Sequence, residues 1–300
     1  MTRQAKAMVY GLTAVLCWST VASAFKISLR YLSAAELLFY ATGSSIVLLS
    51  IILRCQGKFF LVRQADGATW LRSLAFGAVN PFLYYLVLFK AYEVLPAQQA
   101  QPINFTWAIT LTLLSVPLLG HRLRLLELAA VLISYFGVYI ISSEGNLFSF
   151  SFAHPVGVAL VLCSTLIWAF YWIAATRDER DPIAGLLLNF ICSLPLIGGY
   201  LLVFEEFRMV PLAGLAGAVY TGCFEMGIAY VAWLMAMKLT SSTARVANLI
   251  FLAPFLSLIL IHFIVGEDIL PSSLVGLVFI MAGLMVQSLA GKKRLHKDRS

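Results

Sequence analysis

The second half of this 300-residue chain is a faint copy of the first, and each copy holds an odd number of membrane-length apolar runs. At an offset of 146 residues Gly11 aligns with Gly157, Val15-Leu16-Cys17 with Val161-Leu162-Cys163, and Gly120 with Gly266. Gly137 then meets Gly283, and Ser142 meets Ser288. Near the middle of each copy the offset slips to 145, which pairs Tyr85 with Tyr230 and Ala91 with Ala236. An odd number of crossings turns the second copy upside down in the bilayer. Inverted repeats of this kind are characteristic of secondary transporters, whose substrate lies between the repeats near the midplane. The expected organisation is a first five-helix repeat over residues 1–148, a second, inverted repeat over 149–291, and a basic cytoplasmic tail over 292–300.

Composition supports a membrane reading. Hydrophobic residues make up 61% of the chain and charged residues 12%, against roughly 25% charged in a soluble domain. The apolar runs are long enough to cross a hydrocarbon core about 30 Å thick. They predict ten spans near 8–26, 35–53, 71–90, 97–119, 125–143, 156–176, 182–203, 212–236, 243–265 and 270–289. In lipid each segment must satisfy its own backbone, so the spans should be helices. The expected fold is an all-α membrane protein with ten transmembrane helices in two inverted repeats around a central cavity.

The net charge of +7 does not indicate a nucleic-acid partner. With the N-terminus in the cytoplasm, only Lys26, Arg30, Lys90 and Arg208 of the 21 lysines and arginines face outward. The positive-inside rule therefore predicts that both termini are cytoplasmic. The cluster from Lys292 to Arg299 would anchor the last helix on anionic headgroups. Phe148, Phe150 and Phe152, in the segment joining the repeats, would lie in the interface. No CxxC occurs among the five cysteines, so neither a disulfide framework nor a zinc site is expected.

Glu225 is the sharpest chemical signal. It falls near the centre of the eighth span, where a charge costs between roughly 3 and 15 kcal/mol. Such a residue faces a cavity, takes a partner, or carries a proton. At the local offset its mate is Asn80, also near the midplane of its span. Proton coupling and capture of a substrate ammonium both suit Glu225; a neutral Glu packed between helices is the competing reading.

Aromatic residues gather at the same depth. Trp18, Tyr84, Tyr85, Trp107, Trp168 and Trp172 are mid-span, although tyrosine and tryptophan usually favour the interface. They would form a wall for an aromatic or amphipathic ligand, with cation–π contact to its ammonium; ordinary core packing is the alternative for each. Asn104 and Asn248 occupy nearly equivalent places in the fourth and ninth spans, and Ser164 shares a face with Trp168. Arg245 lies near the inner end of the ninth span, where snorkelling accounts for it. Metalloprotease, nucleophile-elbow and nucleotide-loop motifs are missing, so neither an enzyme, a metal nor a cofactor is expected, and any pumping must use a gradient.

Leu16-Cys17-Trp18-Ser19-Thr20, Ala229-Tyr230-Val231-Ala232-Trp233, Pro254 followed by Gly266-Glu267, and Gly283 together resemble the drug/metabolite transporter superfamily, specifically its ten-helix EamA-type exporters. Met1-Thr2-Arg3-Gln4, Asn104-Phe105-Thr106-Trp107 and Ile167-Trp168-Ala169 are similar to the YddG-type amino-acid exporters within it. The resemblance spans the whole chain. It implies a bacterial inner-membrane exporter of aromatic and other neutral amino acids, with a cavity lined by helices one, three, four, six, eight and nine. The first copy departs from the pattern at His121, where Gly-Glu would be expected, and Glu225 stands where a small or hydroxyl residue would be.

The combined expectation is export by alternating access, with an amino acid bound at the midplane among Trp18, Asn80, Tyr84, Trp107, Trp168 and Glu225. Tyr85, Asn104, Ser164, Trp172, Tyr230 and Asn248 would line the cavity. The partners are then a small-molecule substrate and the lipid bilayer, and one ten-helix chain suffices as a monomer. Efflux of drug-like cations or another metabolite is the alternative.

Overall fold

The computed structural model describes residues 2–120, 123–148, 152–206, 209–240, 246 and 248–297. His121, Phe150, Arg208, Arg245 and Arg299 lie outside the described residues, as do the side chains of the basic tail. Among the described residues there is no strand. Ten helices are long and apolar enough to cross a membrane: α1 (Arg3–Ser28), α2 (Ala34–Cys55), α3 (Gly67–Val94), α4 (Ala97–Leu119), α5 (Leu125–Ser142), α6 (Pro155–Ala175), α7 (Pro182–Phe204), α8 (Leu212–Leu239), α9 (Asn248–Val265) and α10 (Pro271–Leu289).

Capping side chains decide where several spans begin. Thr2 accepts from the Ala5 N–H, which starts α1 well before the apolar run does. Ser33 and Glu36 form a reciprocal capping box at α2, and Asp66 accepts from Thr69 at the start of α3. Each satisfies donors that the first helical turn leaves open. At the other end, Gly120 and Gly266 stop α4 and α9 in the left-handed conformation that glycine adopts at little cost.

The chain resolves into two compact units. One comprises Met1–Glu93 and Asp178–Gly266, and so holds α1–α3 and α7–α9; the other comprises Val94–Arg177 and Glu267–Ser300, and holds α4–α6 and α10. Each unit takes helices from both sequence copies. In the first, α1 packs on α8 and α9, α2 on α7 and α8, and α3 on α7. Thr20 and the Tyr220 hydroxyl meet at 2.6 Å between α1 and α8. In the second unit α5 lies along α10 and α4 along α6. Small residues line these contacts, as expected where lipid supplies no hydrophobic drive and close backbone approach supplies the attraction instead.

Three spans of the first unit are irregular. Widened turns occupy Ala78–Leu83 in α3, Thr221–Ile228 in α8 and Ile261–Val265 in α9. Asn80 and Glu225, the polar pair singled out by the repeat, sit inside the first two. In α3 the cause is local: Pro81 lacks an N–H and crowds the residue before it, and Asn80 is driven to φ −144°, ψ 118°. In α8 no proline is present; the segment holds Gly222 and Gly227 instead.

Candidate functional site

Glu225 is buried, with 9% of its surface exposed. Its Oε1 accepts from the Tyr85 hydroxyl at 3.0 Å, and its Oε2 has no partner. Among the described residues no ion pair includes it. The Thr221 hydroxyl, earlier on the same widened segment, is buried and equally unpartnered. Widened turns of this type are frequent at functional sites, although the one in α9 holds no candidate residue.

Aromatic rings pack on one another in the same unit. Tyr84 packs edge-on against Tyr85 with centroids 4.7 Å apart. Trp18 meets Tyr230 at 6.4 Å and Trp233 at 5.4 Å. Asn80 is 1% exposed, and neither its Oδ1 nor its Nδ2 is hydrogen-bonded. No hydrogen bond joins it to Glu225, and its segment packs chiefly on α7. Asn248 begins the 3-10 turn that opens α9 and is exposed.

The second unit carries the other aromatic set. Trp107 stacks on Trp172 at 6.4 Å with the planes 18° apart. Trp172 meets Trp168 edge-on at 5.9 Å. The Ser164 hydroxyl lies 3.5 Å from Asn104 Oδ1. The Trp172 indole N–H is buried and unpartnered. The three tryptophans therefore form one continuous aromatic surface with a spare donor on it.

A cavity of about 280 Å³ opens elsewhere, between α2 and the C-terminal part of α7, lined by Glu36, Phe39, Tyr40 and Glu205 among others. None of the residues expected from the sequence lines it. Glu36 is already engaged as the α2 cap, so helix capping accounts for its buried carboxylate.

Two polar assemblies were not anticipated from the sequence. At one end of the first unit Arg180 forks onto Asp178, with Nε and Nη2 at 2.9 and 2.7 Å, and Nη2 also reaches Asn189 at 3.3 Å. Its Nη1 donates to Ser73. Beside it, Lys58 pairs with Asp181 at 2.6 Å. Burial pushes both aspartates up, but the Arg180 and Lys58 hydrogen bonds outweigh it and hold both carboxyls below the usual range. The run Asp178-Glu179-Arg180-Asp181-Pro182 was the available signal; it reads as an ordinary loop until tertiary structure brings Lys58 and Ser73 to it.

In the second unit Glu267 caps α4. Its two oxygens accept from the Ala97 and Gln98 backbone N–H groups at 2.9 and 3.0 Å. Gln98 in turn donates to the Asp268 carbonyl and accepts from Leu270 N and the Ser273 hydroxyl. The Gly-Glu pair of the motif is therefore a turn followed by a helix cap. Glu267→Gln weakens two charge-assisted bonds, and a loss of about 1–2 kcal/mol is expected. Denaturant titration of the detergent-solubilised protein checks it; unchanged stability would show that these bonds contribute nothing net.

The comparisons agree with this architecture. A relative described as the aromatic amino acid exporter YddG of Ancylobacter novellus is 24% identical over 297 residues, covering 97% of this chain and 99% of the relative. An uncharacterized transporter of Archaeoglobus fulgidus is 24% identical over 262 residues, covering 84% and 87%. A crystal structure 23% identical in sequence superposes with a TM-score of 0.68 over 96% of this chain and 98% of that one, which shows a shared fold. The EamA-like transporter pattern matches twice, at residues 5–143 and 155–289. With ten membrane-length helices and a doubled family match over nearly its whole length, the chain belongs to the EamA-like transporter family.

Proposed function

We propose that this transporter exports amino acids, aromatic and other neutral ones foremost, across a bacterial inner membrane by alternating access of two inverted repeats. The observation that carries the reading is the Glu225 carboxylate: one oxygen is held by Tyr85, the other is open, and among the described residues no lysine or arginine pairs with it. A buried carboxylate without a cation is costly, and an amino acid brings an ammonium that supplies one. Tyr84 packs on Tyr85, the ring that holds the carboxylate, and Trp18 with Tyr230 adds an aromatic pair in the same unit for cation–π and apolar contact. Asn80 offers an unpartnered amide for the substrate's polar end. In the second unit Trp107, Trp168 and Trp172 make an aromatic surface of their own, suited to an aromatic side chain. The name of the relative from Ancylobacter novellus supports the same substrate class. The distribution of lysine and arginine supports cytoplasmic termini in this reading, with a monomer as the transport unit.

Counterflow of labelled phenylalanine, threonine, methionine and lysine in proteoliposomes tests the reading. Saturable exchange of phenylalanine is expected, with weaker exchange of the aliphatic substrates. Trp168→Ala should raise the phenylalanine concentration at half-saturation at least tenfold, which corresponds to about 1.4 kcal/mol of lost contact, while the protein still purifies intact. Glu225 with its aromatic neighbours also matches drug-like cations. Exchange of such cations, with none of any amino acid, would replace the amino-acid reading by that one.

A further inference from the structure

The segment joining α2 to α3 carries two arginines that meet on one phenylalanine. Arg54 Cζ lies 4.8 Å from the centroid of the Phe59 ring, and Arg63 Cζ lies 5.7 Å from the same centroid. A ring face attracts a guanidinium at this range; it does not remove the repulsion between two of them. The neighbouring cations already face carboxylates: Lys58 pairs with Asp181, Arg180 with Asp178, and Arg72 stands 3.8 Å from Asp178. Among the described residues no ion pair includes Arg54 or Arg63. Asp66, the nearest acid in the sequence, gives its Oδ1 to the Thr69 N–H. The segment is held in place. Gly57 turns it at φ 68°, the Lys58 N–H returns to the Leu53 carbonyl at 2.9 Å, and the Lys58–Asp181 pair ties it to the start of α7. The surface leading to the arginines is apolar. Val47, Ile51 and Arg54 are spaced four and three apart and so share a face of α2. Val47 and Ile51 are each more than half exposed, and Phe60, on the short turn that ends at Arg63, is half exposed. Two unmatched guanidinium groups at the end of an exposed apolar stripe have the outline of a phospholipid, with the anion at one end and hydrocarbon behind it.

We propose that Arg54 and Arg63 seat the phosphate of an anionic phospholipid, whose acyl chain lies along Val47 and Ile51. The inference does not depend on what the transporter carries. Guanidinium forks match phosphate oxygens two at a time, so a shared phosphate replaces the repulsion between the arginines with two attractions. Charge alone would also suit free phosphate or an acidic protein. The apolar stripe selects the lipid, because a lipid brings the hydrocarbon that covers it. A zwitterionic lipid suits the place less well, since its own ammonium offsets its phosphate. The hydrogen bonds and ion pair that hold the segment set the seat in advance, so binding spends little on ordering it. The same ties pass the effect on: a bound lipid braces the adjoining ends of α2 and α7, and it stabilises the folded protein by mass action.

The test is displacement of a fluorescent phosphatidylglycerol from the purified, detergent-solubilised transporter. One saturable site is expected, weakened by salt. Unlabelled phosphatidylglycerol should empty it, while phosphatidylcholine and inorganic phosphate, even in excess, should not. Arg54→Gln combined with Arg63→Gln should weaken binding at least tenfold. Arg54→Lys combined with Arg63→Lys keeps both charges but loses the planar forks, and should weaken it several-fold. Both arginines are exposed, and the lysine pair decides the matter should the glutamine pair not fold. Glutamine at Lys292, Lys293 and Arg294 strips charge from the basic tail and should leave the site unchanged. Wild-type affinity in either arginine variant overturns the proposal, as does loss of the lipid in the tail variant instead. Displacement by inorganic phosphate overturns it in favour of a simple anion site. Absence of lipid binding, with a dimer that the glutamine pair dissociates, overturns it in favour of a second copy on this face.

Discussion

Arg180→Met is expected to cost the folded protein about 1–3 kcal/mol, the penalty for taking the charged hydrogen-bond partner from a partly buried carboxylate. Arg180 and Asp178 are only 14% and 16% exposed. Methionine preserves the apolar stem but removes every donor. Asp178 would then keep Arg72 at 3.8 Å and the backbone N–H of position 180 at 3.3 Å, while Ser73 and Asn189 would each lose a donor. The pH dependence has a definite sign. The Asp178 carboxyl titrates below its ordinary value because the Arg180 hydrogen bonds outweigh the effect of burial. Its stabilisation is therefore complete above the unfolded carboxylate value, about 3.9, and is lost as pH falls through the lower folded value. The gap between wild type and Arg180→Met should narrow in acid, and Asp178→Asn added to the variant should recover part of the loss. Unfolding of the detergent-solubilised proteins at neutral and acid pH measures both. A variant as stable as the wild type at neutral pH would show the cluster to be ornamental.

Gly283→Leu should be comparably damaging for a different reason. A Cβ at Gly283 would lie 2.7 Å from the Ala130 carbonyl and 3.0 Å from the Ser134 nitrogen across the α5–α10 contact. Gly137 faces the Gly276 carbonyl in the same way, at 2.5 Å. These neighbours are backbone and cannot rotate aside. A leucine must push the helices apart, losing the Ser134 hydroxyl bond to the Ile280 carbonyl and the dispersion contacts of the seam. The expected loss is about 3 kcal/mol or more. Gly199→Leu is the matched control, since nothing lies within 4 Å of a Cβ there. The fraction of monodisperse protein surviving a heating series separates the two; equal survival would mean the seam tolerates widening.

The sequence read well wherever one physical quantity dominated. Ten apolar runs became ten helices because lipid leaves a spanning backbone no alternative. Their ends moved by several residues where a cap such as Thr2 or Asp66 lay outside the apolar run that hydropathy detects. Pro81 announced the break in α3, whereas the widened segment of α8 has no proline to announce it. Glu225 was visible because one charge in an apolar span is improbable by accident. Thr221 was not, because a threonine in a membrane helix is commonplace until its hydroxyl proves to have no carbonyl to bond.

Hydropathy, charge asymmetry and the doubled motif are sums over many residues, each reporting the solvent around it, and they suffice for class, span count and transporter family. Which oxygen of Glu225 is open, which carboxylate Arg180 clamps and which helix Glu267 caps depend on single distances between residues up to 170 positions apart in the chain. Hydrogen bonds and ion pairs fall away within an ångström or two, so only the tertiary structure decided them.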